Sequence, residues 1–188
     1  MKENIDRRQF FAYNKSMEKM DKRLVWALRI LLTAACAFAV GFILYNSIQT
    51  AVESAAQSSR VVEVVQQVVA TVAPDSPIVT AAGEDYDKLH AVVRNLAHFA
   101  EYGLLGVLAG WCYRSYTDKK LWLRIAGGGV ALLAVIDECL QIFSDGRGAQ
   151  FTDVLVDVLG GSMGLAFAVF TVWCMQRIVQ KRRAHETR

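Results

Sequence analysis

Ionisable residues that could bind a ligand or carry out chemistry recur in the most apolar part of this 188-residue chain. Asp137 and Glu138 lie within one helical turn of Gln141, and Asp153 precedes Asp157 by four residues. Carboxylates at this spacing share one face of a helix, where they can bind a cation, share protons or accept hydrogen bonds from a ligand. Their position between apolar segments needs a physical reason, because charged groups are costly to bury in lipid.

A second polar face precedes these acids. His98 and Glu101 are three residues apart and therefore lie on one side of a helix, with Arg94 one turn away on the same side. At about 1.5 Å per residue, the acids of three apolar segments lie at similar depths, roughly 6–10 Å from one end of each segment. Exposing such an acid to lipid would cost roughly 2.5–3.5 kcal/mol. We therefore expect the three faces to converge in the interior of a helix bundle, around a cavity open to the outside.

Four apolar segments provide the helices that would position these residues. They approach the length of about 20 residues that spans a bilayer core, and they cover approximately residues 24–45, 96–113, 121–143 and 151–175. The composition agrees, since 54% of the residues are hydrophobic and the mean hydropathy is +0.26. The predicted fold class is an all-α integral membrane protein with four transmembrane helices.

The positions of Lys and Arg predict the orientation of these helices, because basic flanks are retained on the cytoplasmic side. Basic residues are concentrated before the first apolar segment, between the second and third, and after the fourth, whereas the outer loop of residues 46–93 is acidic. We therefore expect a multi-pass protein of the cytoplasmic membrane. Its parts are a cytoplasmic N-terminal segment (1–23), a membrane domain (24–176) and a basic cytoplasmic tail (177–188). The net charge of +3 reflects this asymmetry and does not indicate nucleic-acid binding.

The outer loop contains one further helical pattern. Apolar residues recur at helical spacing from Ile48 to Val72, with a break at Ser58 and Ser59, and Pro74 follows. This pattern predicts an additional extracytoplasmic amphipathic helix. Its valine-rich face would either pack on the bundle or join two copies of the chain into a homo-oligomer.

Other patterns concern packing. Gly106 with Gly110 and Gly160 with Gly164 are spaced four residues apart, which allows close approach of helix backbones in lipid. The cysteines do not form a CxxC pair, and this scattering argues against a disulfide framework or a zinc site built on them. They are Cys36, Cys112, Cys139 and Cys174.

Three interpretations fit the polar residues, and the sequence leaves all three open. In a structural network, the acids, Arg147 and His98 would form ion pairs that fix helix register. In a binding or permeation site, they would contact a lipid headgroup or a small cation. In a catalytic site, His98 or Glu101 would act as a base and Arg147 would stabilise an anion. The candidate ligands for a divalent cation, Mg²⁺ or Mn²⁺, are Asp137, Glu138 and Asp157.

Three blocks of this sequence, taken in order, resemble the VanZ-like family of bacterial membrane proteins. They read VVRNLAHFAEYGLLGVL (92–108), DECLQ (137–141) and GRGAQFTDVLVDVLGGSMG (146–164). Two departures are Asn95, where many relatives have Lys, and Leu140, where many have His; the missing His argues against a mechanism that needs two histidines. The matching residues are Arg94, His98, Phe99, Glu101, Tyr102, Asp137, Glu138, Gln141, Gly146, Arg147, Asp153, Asp157 and Gly160.

The resemblance implies a polytopic cell-envelope protein, and the name-giving member of the family is linked to resistance to teicoplanin. With the polar faces, it predicts a site for a membrane lipid or a lipid-linked envelope component. The alternatives are a membrane-embedded hydrolase or transferase that acts on a lipid, a cation-coupled carrier, and the structural network. The expected ligand-binding residues are Arg94, His98, Glu101, Tyr102, Asp137, Glu138, Gln141, Arg147, Asp153 and Asp157.

Overall fold

The computed structural model describes residues 22–117, 121–146, 148 and 150–186. The predicted N-terminal segment up to residue 21, the basic connection 118–120 and Arg147 lie outside the described residues. The all-α fold class is confirmed for the described part of the chain, whose regular elements are all helices. They are α1 (Lys22–Ser47), α2 (Ala51–Val72), α3 (Glu84–Tyr116), α4 (Leu121–Gln141) and α5 (Phe151–Glu186).

Each predicted apolar segment falls largely within one helix, but two helices extend well beyond their apolar parts. α3 begins at Glu84 rather than near residue 96, and α5 continues to Glu186 rather than ending near residue 175. The early start of α3 has a physical cause, because Glu84, Asp85 and Asp87 occupy its first turn, where negative charge stabilises the helix dipole. Apolar periodicity marks the part of a helix that faces lipid or core and therefore underestimates helix length.

Two helices are long and apolar enough to cross a membrane, namely α1 and the Phe151–Arg182 part of α5. Among the described residues, α3 and α4 do not meet the same criteria of length and composition, and both carry charged residues of the predicted site within their apolar parts. Large apolar side chains nevertheless cover the outside of the bundle, and Phe38 of α1 is 76% exposed. Such a surface is typical of a protein surrounded by lipid and indicates membrane character.

The closest helix contact joins α3 and α5. Gly164 lies against the backbone carbonyl of Gly103, and Gly106 lies against that of Gly161, so that a Cβ atom at Gly164 or Gly106 would overlap a main-chain oxygen. Gly160 makes a similar backbone contact. The predicted close approach of helix backbones is therefore confirmed at Gly106, Gly160 and Gly164.

α1 is attached to the bundle at both of its ends. At one end, the Arg29 side chain donates a hydrogen bond to the Ser115 carbonyl (3.0 Å) and lies over the Tyr116 ring. At the other end, Ser47 is buried beside α4. Between these attachments lies the apolar core, formed by residues that include Ile43, Leu105, Ala109, Ala126, Val130 and Ala134. We call the end that holds Ser47, Asp137 and Asp153 the polar end of the bundle.

Short connections at the polar end fix the position of α2. Thr50 caps α2 through reciprocal hydrogen bonds with Glu53, in which the Thr50 hydroxyl accepts from the Glu53 N–H and Glu53 accepts from the Thr50 N–H. The Ser144 hydroxyl donates to the Ser47 carbonyl (2.9 Å), and the Ala51 N–H donates to the Asp145 carbonyl (3.0 Å). The α1–α2 turn and the α4–α5 loop are therefore held together.

The break in the apolar spacing at Ser58 and Ser59 does not interrupt α2, which runs continuously from Ala51 to Val72. Ser58 lines a polar cavity together with Ser54, one turn earlier. Ser58 interrupts the apolar periodicity because the helix face that it shares with Ser54 covers this cavity instead of an apolar core.

Candidate functional site

A polar cavity of about 60 Å³ lies at the polar end of the bundle. This volume can hold roughly four water molecules. Ser54, Gln57 and Ser58 of α2 border one side of the cavity, and α1, α3 and α4 form the rest. The charged or titratable residues that line it are Arg94, His98, Glu101 and Asp137.

Asp157 lies next to this cavity and is completely buried. Its Oδ1 atom is 3.4 Å from Nδ1 of His98, which is an ion-pair distance when His98 is protonated, but the two atoms do not form a hydrogen bond of good geometry. Neither carboxylate oxygen of Asp157 has a hydrogen-bond partner among the residues that the structure describes. His98, Asp137 and Asp157 each offer one ligand atom, and these three atoms lie within 4.8 Å of one another. These three side chains, from α3, α4 and α5, could hold a single metal ion.

Two residues at the end of α1 complete the surroundings of the acids. The Ser47 hydroxyl is hydrogen-bonded to the Asp137 carboxylate, and the Asn46 side chain donates to Oε1 of Glu101 (3.1 Å). Neither α1 residue is among those predicted from the sequence. A usable signal is present, since the first apolar segment ends in the polar run Asn46, Ser47 and Gln49 at the end of the bundle where the acids lie.

Arg94 connects three helices at the edge of the cavity. Its Nη2 atom donates to Oδ2 of Asp153 (3.2 Å) and lies 3.5 Å from Oε1 of Gln141. The Arg94 side chain is 28% exposed, whereas that of Asp153 is only 9% exposed. Arg94 also borders a second cavity of about 120 Å³, which His90 and Gln150 help to line. Arg94 therefore separates two polar spaces.

Glu138 is directed to a different partner from Asp137. Its Oε1 atom accepts a hydrogen bond from the backbone N–H of Gln150, just before α5 begins. Successive residues of an α-helix point about 100° apart, so Asp137 and Glu138 cannot both face the same small centre. The structure thus groups Asp137 and Asp157 with His98, and Glu138 lies outside this group.

Two further predicted residues are buried beside the acids. Tyr102 is fully buried and lies near Asp137, although its hydroxyl makes no hydrogen bond of good geometry within the described ranges. Gln141 is also fully buried and faces Arg94. Arg147 lies outside the described residues and stays a prediction.

Acidic groups outnumber basic groups in the described part of the site. The acids are Glu101, Asp137, Glu138, Asp153 and Asp157, and the cationic groups are Arg94 and, when protonated, His98. Because Arg94 is paired with Asp153, the interior acids need another source of positive charge. Shared protons, a bound cation or a ligand rich in hydrogen-bond donors would each supply it.

Comparison with protein-family models identifies a family for this chain. The family model described as VanZ/LLP1 matches residues 32–173, which is most of the chain and includes every candidate site residue from Arg94 to Asp157. No curated protein and no solved structure matches this chain.

Proposed function

The chain belongs to the VanZ/LLP1 family, and we propose that it is a cell-envelope protein that binds the polar headgroup of a membrane lipid or lipid-linked component. The observation that supports this function is the polar cavity bordered by His98, Glu101 and Asp137, inside a bundle whose outer surface is apolar. A lipid can keep its chains in the bilayer while its headgroup enters such a cavity. Carboxylates then accept hydrogen bonds from headgroup hydroxyls or amines.

The proposed arrangement in the membrane has four spans and both termini in the cytoplasm. α3 and α4 would cross the bilayer with their polar residues turned into the bundle, which is how ionisable groups are accommodated in lipid. The distribution of Lys and Arg supports this orientation, since basic residues flank the end of the bundle opposite to the polar end. The polar end, with α2 beside it, would then face the outside.

Lipid binding can be tested with protein purified in a mild detergent. Native mass spectrometry should show a bound lipid on the wild-type protein, and Glu101→Gln should lower its occupancy at least fivefold at unchanged thermal stability. Glu84→Gln, a matched change on the same helix at a side chain that is 93% exposed, should retain the lipid. If the wild-type protein carries no lipid, or if Glu101→Gln loses only stability, the acids form a structural network instead.

A second candidate function is hydrolysis or group transfer on a lipid-linked substrate. One observation favours it: His98 lies 3.4 Å from the buried Asp157 carboxylate, an arrangement that can orient a histidine base. The lipid identified in the binding experiment should then be converted during incubation with the purified protein. An unchanged lipid after prolonged incubation would exclude this candidate.

The family also supports a proposal about drug response. We propose that the protein alters the response of the cell envelope to teicoplanin, the glycopeptide to which the name-giving family member is linked. Expression in a susceptible bacterium should raise the inhibitory concentration of teicoplanin, and Glu101→Gln should abolish this effect. If the wild-type protein and Glu101→Gln raise the inhibitory concentration of teicoplanin equally, the drug response does not depend on the polar cavity.

Self-association through α2 is a further proposal. One face of α2 packs on the bundle through the buried Val62, whereas Val61, Val64, Val68 and Val72 are at least half exposed. Val68→Glu should therefore convert an oligomer of the wild-type protein into a monomer in light scattering of detergent-solubilised protein. Val62 is unsuitable for this test because it already contacts the chain's own bundle.

A further inference from the structure

We infer that the polar end binds one divalent transition-metal ion through His98, Asp137 and Asp157. The three side chains come from three different helices, and one ligand atom of each lies within 4.8 Å of the others. The sequence pattern predicts Glu138 in place of His98. Geometry selects His98, because Glu138 is hydrogen-bonded to Gln150.

The distance between His98 and Asp157 fits two ligands of one ion. Metal bonds from His nitrogen and carboxylate oxygen measure about 2.0–2.2 Å, so two neighbouring ligands of a tetrahedral ion lie about 3.4 Å apart. His98 Nδ1 and Asp157 Oδ1 are separated by 3.4 Å. The two atoms do not form a hydrogen bond of good geometry, and their separation fits shared coordination of one ion as well as an ion pair with a protonated His98.

Burial of Asp157 is an independent indication of a ligand. A fully buried carboxylate normally accepts several hydrogen bonds, because burial of an unpartnered charge is costly. Asp157 is 0% exposed, and neither of its oxygens has a hydrogen-bond partner within the described ranges. A metal ion coordinated by this carboxylate would supply the missing interaction.

The chemistry of the ligands indicates the class of metal. Two carboxylates neutralise a divalent ion, and an imidazole favours Mn²⁺ or Zn²⁺ over Mg²⁺ and Ca²⁺, which prefer oxygen ligands. The Ser47 hydroxyl is hydrogen-bonded to Asp137 and fixes the orientation of that carboxylate, as outer residues of metal sites do. His98 and Asp137 also line the 60 Å³ cavity, so a metal-bound ligand has space on that side.

A metal ion would also define the headgroup class, a step that rests on the proposed function. An acid-lined cavity repels a phosphate group, whereas a divalent cation held by His98, Asp137 and Asp157 cancels the charge of the two carboxylates and can accept a phosphate oxygen as a further ligand. The headgroup would then be anionic, with a phosphate or pyrophosphate next to the metal. Arg94 lines the same cavity, but its charge is already paired with Asp153, so the phosphate would depend on the metal ion.

The metal site is tested with full-length protein that has been treated with chelator and freed of lipid. Titration with MnCl₂ or ZnCl₂, followed by calorimetry and elemental analysis, should show one saturable site. MgCl₂ and CaCl₂ should bind at least tenfold more weakly. Asp157→Asn and Asp137→Asn should each reduce Mn²⁺ affinity at least tenfold, whereas Glu138→Gln should change it less than threefold. Asp87→Asn, at an exposed acid of α3, is the control for non-specific binding.

Thermal unfolding shows whether a variant has merely failed to fold. Mn²⁺ should raise the melting temperature of the wild-type protein and of Asp87→Asn but not that of Asp157→Asn, because a ligand of the native state stabilises only proteins that bind it. Absence of a saturable site in the wild-type protein, or equal affinity in Asp157→Asn, would overturn the inference. These measurements use lipid-free protein, so their results do not depend on headgroup binding. In the separate lipid-binding experiment, lipid occupancy that survives complete metal removal would overturn only the assignment of an anionic headgroup.

Discussion

Arg94 shows how one residue can determine the charge of the whole site. It is a cation of the cavity wall, yet its guanidinium is already paired with Asp153. The positive charge therefore offsets Asp153 at the start of α5. For Glu101, Asp137 and Asp157, the described part of the site offers only His98, which lies 3.4 Å from Asp157 and is charged only when protonated. The excess of acid in the interior is thus a consequence of which acid Arg94 contacts.

Replacement of Arg94 should accordingly reduce stability. Arg94→Met would leave Asp153, whose side chain is 9% exposed, without its cation. Loss of a partner from a buried pair costs about 3–5 kcal/mol, and we expect about 2 kcal/mol here because Arg94 itself is partly exposed. Denaturant unfolding in detergent measures this change. Asp153→Asn in the Arg94→Met background should restore part of the loss.

A matched control lies on the same helix. Lys88 pairs with Asp85 at 3.3 Å, but both side chains are at least 70% exposed. Lys88→Met should therefore change the free energy of unfolding by less than about 1 kcal/mol, as is usual for surface pairs. An equal effect of the two substitutions would show that burial does not govern the Arg94–Asp153 pair.

The sequence predicts that the acids of the site lie close together, but it does not predict which residue each acid contacts. The cost of exposing acids to lipid places Glu101, Asp137 and Asp157 toward a common interior. Periodicity separates the directions of Asp137 and Glu138 by about 100°, but which of the two faces His98 and Asp157 depends on how the helices are placed. The contribution of Ser47 depends on the contact between α1 and α4, which hydropathy does not encode.

At the scale of the elements, the contact between α3 and α5 sets the distances within the site. His98 and Asp157 lie close together because the two helix backbones touch at glycines one to two turns further along. Small residues permit this approach, and any added side chain must move one helix away from the other. The glycines therefore act on the polar residues through helix position.

Substitution at this crossing tests that dependence. A Cβ atom at Gly164 would overlap the Gly103 carbonyl, so Gly164→Ala should destabilise the protein by about 1–3 kcal/mol and weaken Mn²⁺ binding. Gly128 of α4 is the control, because a methyl group added there would meet no neighbouring atom within 4 Å. Gly128→Ala should be neutral or stabilise the helix by up to about 1 kcal/mol. Thermal unfolding and Mn²⁺ titration measure the two effects.

A Gly164→Ala protein with normal stability and normal metal affinity would contradict the proposed dependence of the site on this helix contact. Such a result would mean that α3 and α5 can separate without disturbing His98 and Asp157. The contact between these helices was itself predictable in part, because four-residue spacing of glycines indicates close packing. Gly103, the partner of Gly164, was not distinguishable from other helical glycines without knowledge of the helix register.

At the scale of the whole molecule, polarity is divided between the two ends of the bundle. Acids, amides and hydroxyls of α1 to α5 meet at the polar end, whereas Arg29 and Arg114 lie at the opposite end. The existence of the helices follows from their apolar residues, but in α3 and α4 charged residues of the site interrupt the apolar sequence. The functional residues thus weaken the same signal that would identify these helices as spans.

The proposed topology makes a prediction for the complete protein in cells. In a variant whose native cysteines are replaced by alanine, Asp75→Cys should react with a membrane-impermeant maleimide added outside, because it lies between α2 and α3. Lys119→Cys and Arg182→Cys should react only after the membrane is permeabilised, since both belong to basic parts of the sequence that the proposed topology places in the cytoplasm. External labelling at Lys119 would contradict a crossing by α3.

External labelling at Arg182 together with protection at Asp75 would invert the orientation and place the polar cavity toward the cytoplasm. The headgroup would then have to come from the inner leaflet, which makes this labelling pattern decisive for the lipid that the site can reach.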